Sequence, residues 1–159
     1  MNEMSKIVKT IANILFPFTT IFGLYVIAHG HLTPGGGFQG GAIVASGCIL
    51  ILVAYGSEWL MKKVNDQHLS ILESLGALGF ILVAFLGLGF GSVFFNNFLA
   101  GSHSLFGTLP AVGSRTADIN TGGVLPLMNF AVGLKVIAGL FAVVFIMAYA
   151  STKMGRKTR

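Results

Sequence analysis

Charged residues are scarce in this chain. Only 9% of its 159 residues are Asp, Glu, Lys or Arg, whereas 54% are hydrophobic. A soluble globular domain carries about 25% charged residues. The few charges are clustered, and long stretches between Ile11 and Ala150 contain no ionisable side chain. The composition therefore excludes an ordinary soluble domain and indicates segments immersed in a lipid bilayer.

Cysteine is almost absent as well. The single cysteine, Cys48, lies in an apolar run, which excludes a disulfide scaffold or a cysteine-based metal cluster within this chain. The net charge of +5 does not indicate nucleic-acid binding, because much of the excess lies within residues 153–159, directly after an apolar segment. Basic residues in that place are typical of membrane proteins. We expect the lipid bilayer, and no nucleic acid, as a partner.

Residue sets for catalysis are also missing. No arrangement of Ser, Cys and His resembles a catalytic triad, and no carboxylate pair is placed for hydrolysis. Gly35, Gly37 and Gly40 match the spacing of a dinucleotide-binding loop, and Glu58 follows about 20 residues later, but that fingerprint needs a preceding strand and a soluble parallel sheet. Here apolar segments lie on both sides. The sequence therefore favours a protein that is not itself an enzyme, and we expect no cofactor and no metal.

Four apolar segments are each close to the roughly 20 residues that cross about 30 Å of hydrocarbon. Because lipid offers no hydrogen-bond partner to the backbone, these segments must be helices. The predicted fold is an all-α, polytopic protein with a single membrane domain over residues 1–159 and a long external loop between spans three and four. The predicted spans are approximately residues 7–28, 38–55, 71–95 and 127–150.

The distribution of Lys and Arg predicts the orientation of the spans. Lys6 and Lys9 precede span one, Lys62 and Lys63 lie between spans two and three, and further basic residues follow span four. The other two connections contain only Arg115. Because cytoplasmic loops are enriched in Lys and Arg, we expect both ends of the four-span unit in the cytoplasm. The expected location is the cytoplasmic membrane, which the chain crosses several times.

Lys135 is the most informative single residue. It lies about eight residues inside span four, or roughly 12 Å from the outer end of the helix. An ammonium group at that depth costs a few kcal/mol or more unless it is paired, hydrated or in contact with protein. Ala131 and Gly139 share its face, so we expect the side chain to point into a closely packed helix interface. It is interpreted as part of an ion pathway; the alternative is a structural lysine that snorkels outward or pairs with a carboxylate.

Glu73 and two histidines are further candidates for the ion pathway. Glu73 opens predicted span three, where a carboxylate either stabilises the helix dipole or relays a proton or cation. We expect it near the inner interface and Lys135 in the outer half, so a salt bridge between them is not expected, and the partner of Lys135 is expected on another subunit. His29 and His31 lack nearby Cys, Asp or Glu, which disfavours a metal site and favours proton handling at the outer mouth.

A glycine-rich run connects spans one and two. It predicts a tight external turn in which glycine allows unusual backbone angles and close approach to a neighbouring helix. Gln39 places a polar group at the head of span two, and the spacing of Gly37 and Gly41 is typical of closely packed membrane helices. The residues assigned to this turn and to helix packing are Pro34, Gly35, Gly36, Gly37, Gln39, Gly40 and Gly41.

The run from His29 to Gly41, HGHLTPGGGFQGG, resembles the hallmark of the MnhB/MrpB family, the small subunits of Mrp multi-subunit sodium/proton antiporters. The resemblance covers nearly the whole chain. It implies assembly with other membrane subunits, including large antiporter-like ones, and Na⁺ and H⁺ as transported ions. It also implies that this subunit does not transport alone. Related modules occur in membrane-bound hydrogenase and sulfur reductase complexes similar to complex I.

The beginning of span four bears on the kind of complex. The run from Pro126 to Val136 resembles versions from respiratory complexes more than those from stand-alone antiporters, which are expected to carry an acidic residue early in this helix. The resemblance thus implies a non-autonomous subunit of a Na⁺/H⁺ antiporter module, either stand-alone or within a respiratory complex. The alternative is a purely structural spacer subunit in the same assembly.

Overall fold

Five α-helices make up the computed structural model, which describes residues 4–32, 34–91, 93–102, 105–108 and 119–157. Four of the helices are long and apolar enough to cross a membrane, and the described residues form no β-strand. The predicted all-α fold with four spans is therefore confirmed. The helices are α1 (Lys6–Ala28), α2 (Gly37–Tyr55), the short α3 (Ser57–Met61), α4 (Asp66–Phe90) and α5 (Leu125–Lys157).

A side-chain cap explains where α4 begins. The Asn65 side chain accepts a hydrogen bond from the Gln67 amide at 3.1 Å, which satisfies one of the free N–H groups at a helix start. The helix therefore begins at Asp66, five residues before the predicted span, and it ends at Phe90. Asp66 is the acidic residue of the first turn. The placement of Glu73 in the first turn is wrong, because Glu73 lies two turns inside α4.

The long helix α5 begins two residues before the predicted span. Pro126 occupies its second position, where a missing N–H costs no helical hydrogen bond. The 33 residues of α5 extend about 50 Å, which exceeds the hydrocarbon core of a bilayer. The C-terminal turns of α5 therefore project beyond the apolar layer.

The four long helices form a row in the order α1, α2, α5, α4. Helix α2 packs on α1 and on α5, and α5 packs on α4, whereas α1 touches α5 only lightly. Among the described residues, α4 contacts neither α1 nor α2. The fold is a single layer of helices, so α1 and α4 each have one long-helix neighbour over most of their length and expose most of their apolar side chains.

Glycines of α2 allow the central helices to approach closely. A Cβ atom at Gly40 would lie 2.6 Å from the Gly23 carbonyl oxygen of α1, and one at Gly41 would lie 2.9 Å from the Gly133 carbonyl oxygen of α5. Any side chain at these two positions would collide with backbone. Glycine thus sets the distance of α2 from both neighbours.

One end of the row carries the basic residues and the apolar core. The core cluster consists of Leu52, Leu60, Leu69, Phe141 and Phe145. At the same end the Met4 amide donates to the Ala54 carbonyl at 3.3 Å, and the Ser57 and Thr152 hydroxyls lie 3.0 Å apart. The start of α1 and the end of α5 therefore lie on one side, here called the basic end, with Lys6, Lys9, Lys62, Lys63 and Lys153.

The opposite end, here called the glycine-rich end, contains residues 29–36 and the described parts of the connection between α4 and α5. Asn97 joins the two ends of that connection, because its amide nitrogen donates to the Gly122 carbonyl at 3.1 Å and its amide oxygen accepts from the Val124 amide at 2.9 Å. Arg115, which contributed to the predicted orientation, lies outside the described residues.

Candidate functional site

Lys135 lies near the middle of the α4–α5 pair. It is ten residues after Leu125, the first residue of α5, which corresponds to about 15 Å along the axis. A Cβ atom at Gly76 of α4 would lie 2.7 Å from the Lys135 amide nitrogen. Gly76 is in turn ten residues after Asp66, again about 15 Å. Lys135 is therefore about midway along a seam of about 30 Å, which is close to the thickness of the hydrocarbon core of a bilayer.

The Lys135 side chain is exposed in the isolated chain, although its backbone packs against α4. Within this chain no described helix covers the Lys135 side chain, so the expected helix interface at this face stays a prediction about neighbouring subunits. Lys135 borders a groove of about 280 Å³, here called the seam groove, lined by Gly76, Ala77, Phe80, Ile81, Val132 and Lys135. The ammonium group thus stands beside apolar walls.

Glu73 is close to Lys135, which the sequence reasoning had not anticipated. Its half-buried carboxylate lies against α5, where a Cβ atom at Gly139 would be 3.4 Å from Oε1. Gly139 is one helical turn from Lys135. The separation of the two residues into inner and outer halves is therefore wrong, since they lie about one turn apart at the same seam.

Glu73 and Lys135 nevertheless form no ion pair, and neither has a hydrogen bond to another described residue. The reason is the direction of the side chains, which tilt toward the N-terminus of their own helix. Because α4 and α5 are antiparallel, Glu73 tilts toward the basic end and Lys135 toward the glycine-rich end. Their charges diverge instead of meeting.

The two histidines lie at the glycine-rich end in different surroundings. The His29 ring centre lies 4.0 Å from that of Tyr25 with the rings tilted by 32°, and its Nδ1 is 3.1 Å from the Tyr25 carbonyl oxygen. The His31 ring packs against Gly122, and both of its ring nitrogens are buried without a hydrogen-bond partner among the described residues. Within the described residues, no three His, Cys, Asp or Glu side chains are grouped as for a metal ion. The structure does not bring His29 and His31 to one shared site.

The glycine-rich run from His29 to Gly41 packs against Asn129 of α5. A Cβ atom at Gly36 would lie 2.6 Å from Asn129 Oδ1, and one at Gly30 would lie 2.8 Å from Nδ2. Gly37 approaches the Asn129 backbone just as closely. Sequence reasoning missed Asn129 as a contact of this loop, and its one signal was a polar amide near the start of an apolar span.

The remaining residues of the loop shape its outer surface. Gly35 has a φ of 93°, a left-handed conformation that glycine adopts without steric cost. Pro34 and Gln39 are exposed, and the flexible end of the Gln39 side chain lies over Gly35. The backbone angle of Gly35 therefore favours glycine at this position of the turn. The Gln39 side chain contacts the turn, although Gln39 itself lies in the first turn of α2.

A polar contact ties α1 to α2 near the basic end. The Asn13 amide nitrogen donates to the Tyr55 hydroxyl at 2.7 Å, and this hydroxyl lies 3.1 Å from Asn13 Oδ1. Lys9 lies 5.2 Å from the centre of the Tyr55 ring, which stacks on Trp59 at 4.5 Å. Both polar ends of Asn13 are thus satisfied within the chain, in contrast to Lys135.

The fold and these side chains define a polytopic helical protein with ionisable side chains near the middle of the α4–α5 pair. Residues 7–142 match the family described as the domain related to the MnhB subunit of Na⁺/H⁺ antiporters. The chain belongs to this family, which confirms the resemblance carried by the glycine-rich run.

Two relatives and one solved structure illustrate the similarity. An uncharacterized protein of Methanocaldococcus jannaschii is 38% identical over 149 residues, which cover 92% of this chain and 53% of that protein. The putative antiporter subunit mnhB2 of Staphylococcus aureus is 32% identical over 98 residues, which cover 62% of this chain and 69% of that subunit. A chain of the membrane-bound sulfane sulfur reductase, an archaeal respiratory membrane complex, superposes with a TM-score of 0.71 at 29% identity.

Length distinguishes this chain from some of these relatives. It spans about half of the M. jannaschii protein, for which the coverage is 53%. The structural match to the sulfane sulfur reductase chain covers 92% of this chain but 59% of the reductase chain. The four-helix row is therefore the part that this protein and those longer chains share.

Proposed function

We propose that this chain is a non-autonomous subunit of an Mrp-type Na⁺/H⁺ antiporter module in the cytoplasmic membrane, either stand-alone or within a respiratory complex. The observation that carries the proposal is the pair of ionisable side chains, Glu73 and Lys135, one turn apart at the middle of the α4–α5 seam. Family membership and the similarity to a respiratory membrane complex support the same assignment.

The energetic cost of the two side chains argues for a functional role. Ionisable residues inside membrane spans are expensive and commonly mark ion or proton routes. The Glu73 side chain tilts toward the basic end and the Lys135 side chain toward the glycine-rich end. The two ionisable groups therefore lie on opposite sides of the middle of the α4–α5 seam. In the proposed module, Glu73 and Lys135 stand in or beside the route of Na⁺ or H⁺, and partner subunits complete that route. The chain itself performs no enzymatic reaction in this proposal.

The histidines hold a secondary place in the proposed route. His31 has two buried ring nitrogens without a hydrogen-bond partner among the described residues. It lies at the glycine-rich end, where we propose that ions enter or leave on the outer side. His29 already contacts the Tyr25 carbonyl and is the weaker candidate of the two.

Replacing the ammonium tests this function. In inverted vesicles that contain the complete complex, Lys135→Met should reduce the initial rate of Na⁺-driven proton movement per assembled complex at least several-fold, with the amount of assembled complex measured on native gels. Lys62→Met removes the same charge at the exposed basic end and should leave the rate close to wild type. Normal exchange by an intact Lys135→Met complex would remove the lysine from the ion route.

A structural spacer is the alternative function. The close glycine contacts of α2 with α1 and α5 favour a rigid plate that fills space between larger subunits. If the spacer is right, Lys135→Met and Glu73→Gln should lower the yield of assembled complex, and the exchange rate per assembled complex should remain unchanged. The two readouts together separate the alternatives.

A further inference from the structure

The seam groove leaves a cation without a counter-charge. Lys135 has no ion pair or hydrogen bond with any described residue, and Glu73, one turn away, points in the opposite direction. An uncompensated ammonium group in hydrocarbon is energetically unfavourable. A group other than the described residues of this chain must therefore stabilise it in the membrane.

Snorkelling to the lipid headgroups does not solve this problem. The four-carbon stem of a lysine reaches about 6 Å, whereas Lys135 lies about 15 Å from either end of the seam. A lipid acyl chain in the groove would fill its volume but would leave the charge unpaired. Lipid alone is therefore an unsuitable occupant of the seam groove.

A second copy of this chain is equally unsuitable. In a two-fold symmetric dimer the same surface meets itself, so two Lys135 ammonium groups would approach each other across the groove. Like charges at close range in a medium of low dielectric constant repel strongly. The occupant must instead carry negative charge at the depth of Lys135.

The shape of the groove specifies the form of that occupant. Gly76 and Ala77 are small and lie beside Lys135 on the groove wall, and small residues allow another helix to approach closely in lipid. Phe80, Ile81 and Val132 extend the groove toward the glycine-rich end as an apolar wall. Apolar walls around one charge fit a membrane-spanning helix with one acidic side chain.

We propose that the seam groove docks a transmembrane helix of another subunit, and that an Asp or Glu of this helix pairs with Lys135 at mid-depth. This inference rests on the proposed place of the chain in a multi-subunit complex. It adds the face that is covered, the kind of segment that covers it and the chemical group that the segment contributes. The exposed face of α5 beside α4 is thus an interface in the assembly.

Photo-crosslinking locates the docked segment without altering the lysine. Ile81 is 54% exposed on the groove wall, so p-benzoylphenylalanine at this position faces the occupant. Irradiation of the complete complex in native membranes should yield an adduct with a different subunit, and mass spectrometry should place the adduct in a membrane span with a carboxylate. Adducts with lipid alone, or with a second copy of this chain, overturn the proposal.

Charge reversal then tests the pairing itself. Lys135→Glu should reduce co-purification of the cross-linked subunit at least several-fold, whereas the matched change Lys62→Glu at the basic end should not. Replacing the identified carboxylate by Lys should restore assembly of the Lys135→Glu complex. If restoration comes instead from changing Glu73, the pairing lies within the chain and the proposal is wrong.

These experiments separate the docking surface from the proposed function. The Ile81 adduct reports contact and needs no transport, while Lys135→Met reports exchange in an assembled complex. An acidic span cross-linked at Ile81 together with normal exchange by Lys135→Met would retain the interface and reject the ion route. Loss of exchange by Lys135→Met without any protein adduct at Ile81 would retain the route and reject the interface.

Discussion

Individual polar side chains inside the spans fall into two kinds, depending on where their partners lie. Asn13 is paired within the chain through two contacts with the Tyr55 hydroxyl, whereas Lys135 is exposed at the seam groove without a partner among the described residues. A polar group satisfied internally stabilises the fold of the subunit. One left unsatisfied at mid-depth bears on assembly or transport.

The Asn13–Tyr55 contact can be tested directly. Tyr55→Phe removes the hydroxyl and leaves the Asn13 amide without this partner, so we expect a loss of stability of about 0.6 kcal/mol, the average for hydrogen bonds between membrane helices. A double-mutant cycle with Asn13→Leu, measured by unfolding in detergent, gives the coupling energy. Tyr25→Phe is the matched control, because the Tyr25 hydroxyl has no hydrogen bond to any described residue. A coupling energy near zero would show that the contact does not hold α1 to α2.

Pairs of helices in this fold are held at distances that glycine sets. At the α4–α5 seam, a Cβ atom at Gly76 would lie 2.7 Å from both the Ala131 carbonyl oxygen and the Lys135 amide nitrogen. These are backbone atoms, which cannot rotate away as a flexible side chain does. Helix α4 has no other long helix to pack on within the described chain, so this one seam determines its position.

The close contact of Gly76 with the backbone of α5 leads to a specific prediction for Gly76→Ala. The added methyl group should push α4 away from α5 and destabilise the subunit by about 1–3 kcal/mol, the usual cost of overpacking. Gly79→Ala is the matched control, because its Cβ would meet only the Ala131 Cβ at 3.6 Å, an ordinary van der Waals distance. The midpoint of thermal unfolding in detergent compares the two variants. Equal midpoints would mean that α4 is free to shift without cost.

The whole molecule is asymmetric along the membrane normal. Lysines and the aromatic side chains of Tyr55, Trp59 and Tyr149 lie at the basic end, where Lys63 and Lys153 each lie 5.8 Å from the centre of an aromatic ring. The glycine-rich end has no Lys or Arg among its described residues. Because positive residues concentrate on the cytoplasmic side, the fold favours an orientation with the basic end inside.

Cysteine labelling tests this orientation. In a Cys48→Ala background, a membrane-impermeant maleimide added to intact cells should label Ala100→Cys at the glycine-rich end and should not label Lys63→Cys at the basic end. Both positions are exposed, so a difference in labelling reports sidedness. After permeabilisation both thiols should react. The reverse pattern in intact cells would show that the basic end lies outside, which would contradict the positive-inside assignment.

The sequence by itself determined the number of apolar spans, their helical structure and the family. These properties are local, since length, hydropathy and the run from His29 to Gly41 can be read without knowing which helices meet. The first two predicted spans differ from α1 and α2 by one residue, whereas α4 begins and ends five residues before the predicted third span and α5 continues seven residues beyond the predicted fourth span. The earlier start of α4 arises from the Asn65 cap, which lies in a polar segment that an apolar-span criterion ignores.

Only the tertiary structure decided the order of the helices in the row, the exposure of Lys135 and its closeness to Glu73. Each of these depends on the axial and rotational register of packed helices, which is set by contacts such as Gly76 on Lys135 and Glu73 on Gly139. A single sequence contains no direct record of such pairings between distant segments. The outward direction of the Lys135 side chain, on which the proposed interface rests, follows from the rotational register that places the Lys135 backbone against Gly76 and from the lack of a further described helix over this face.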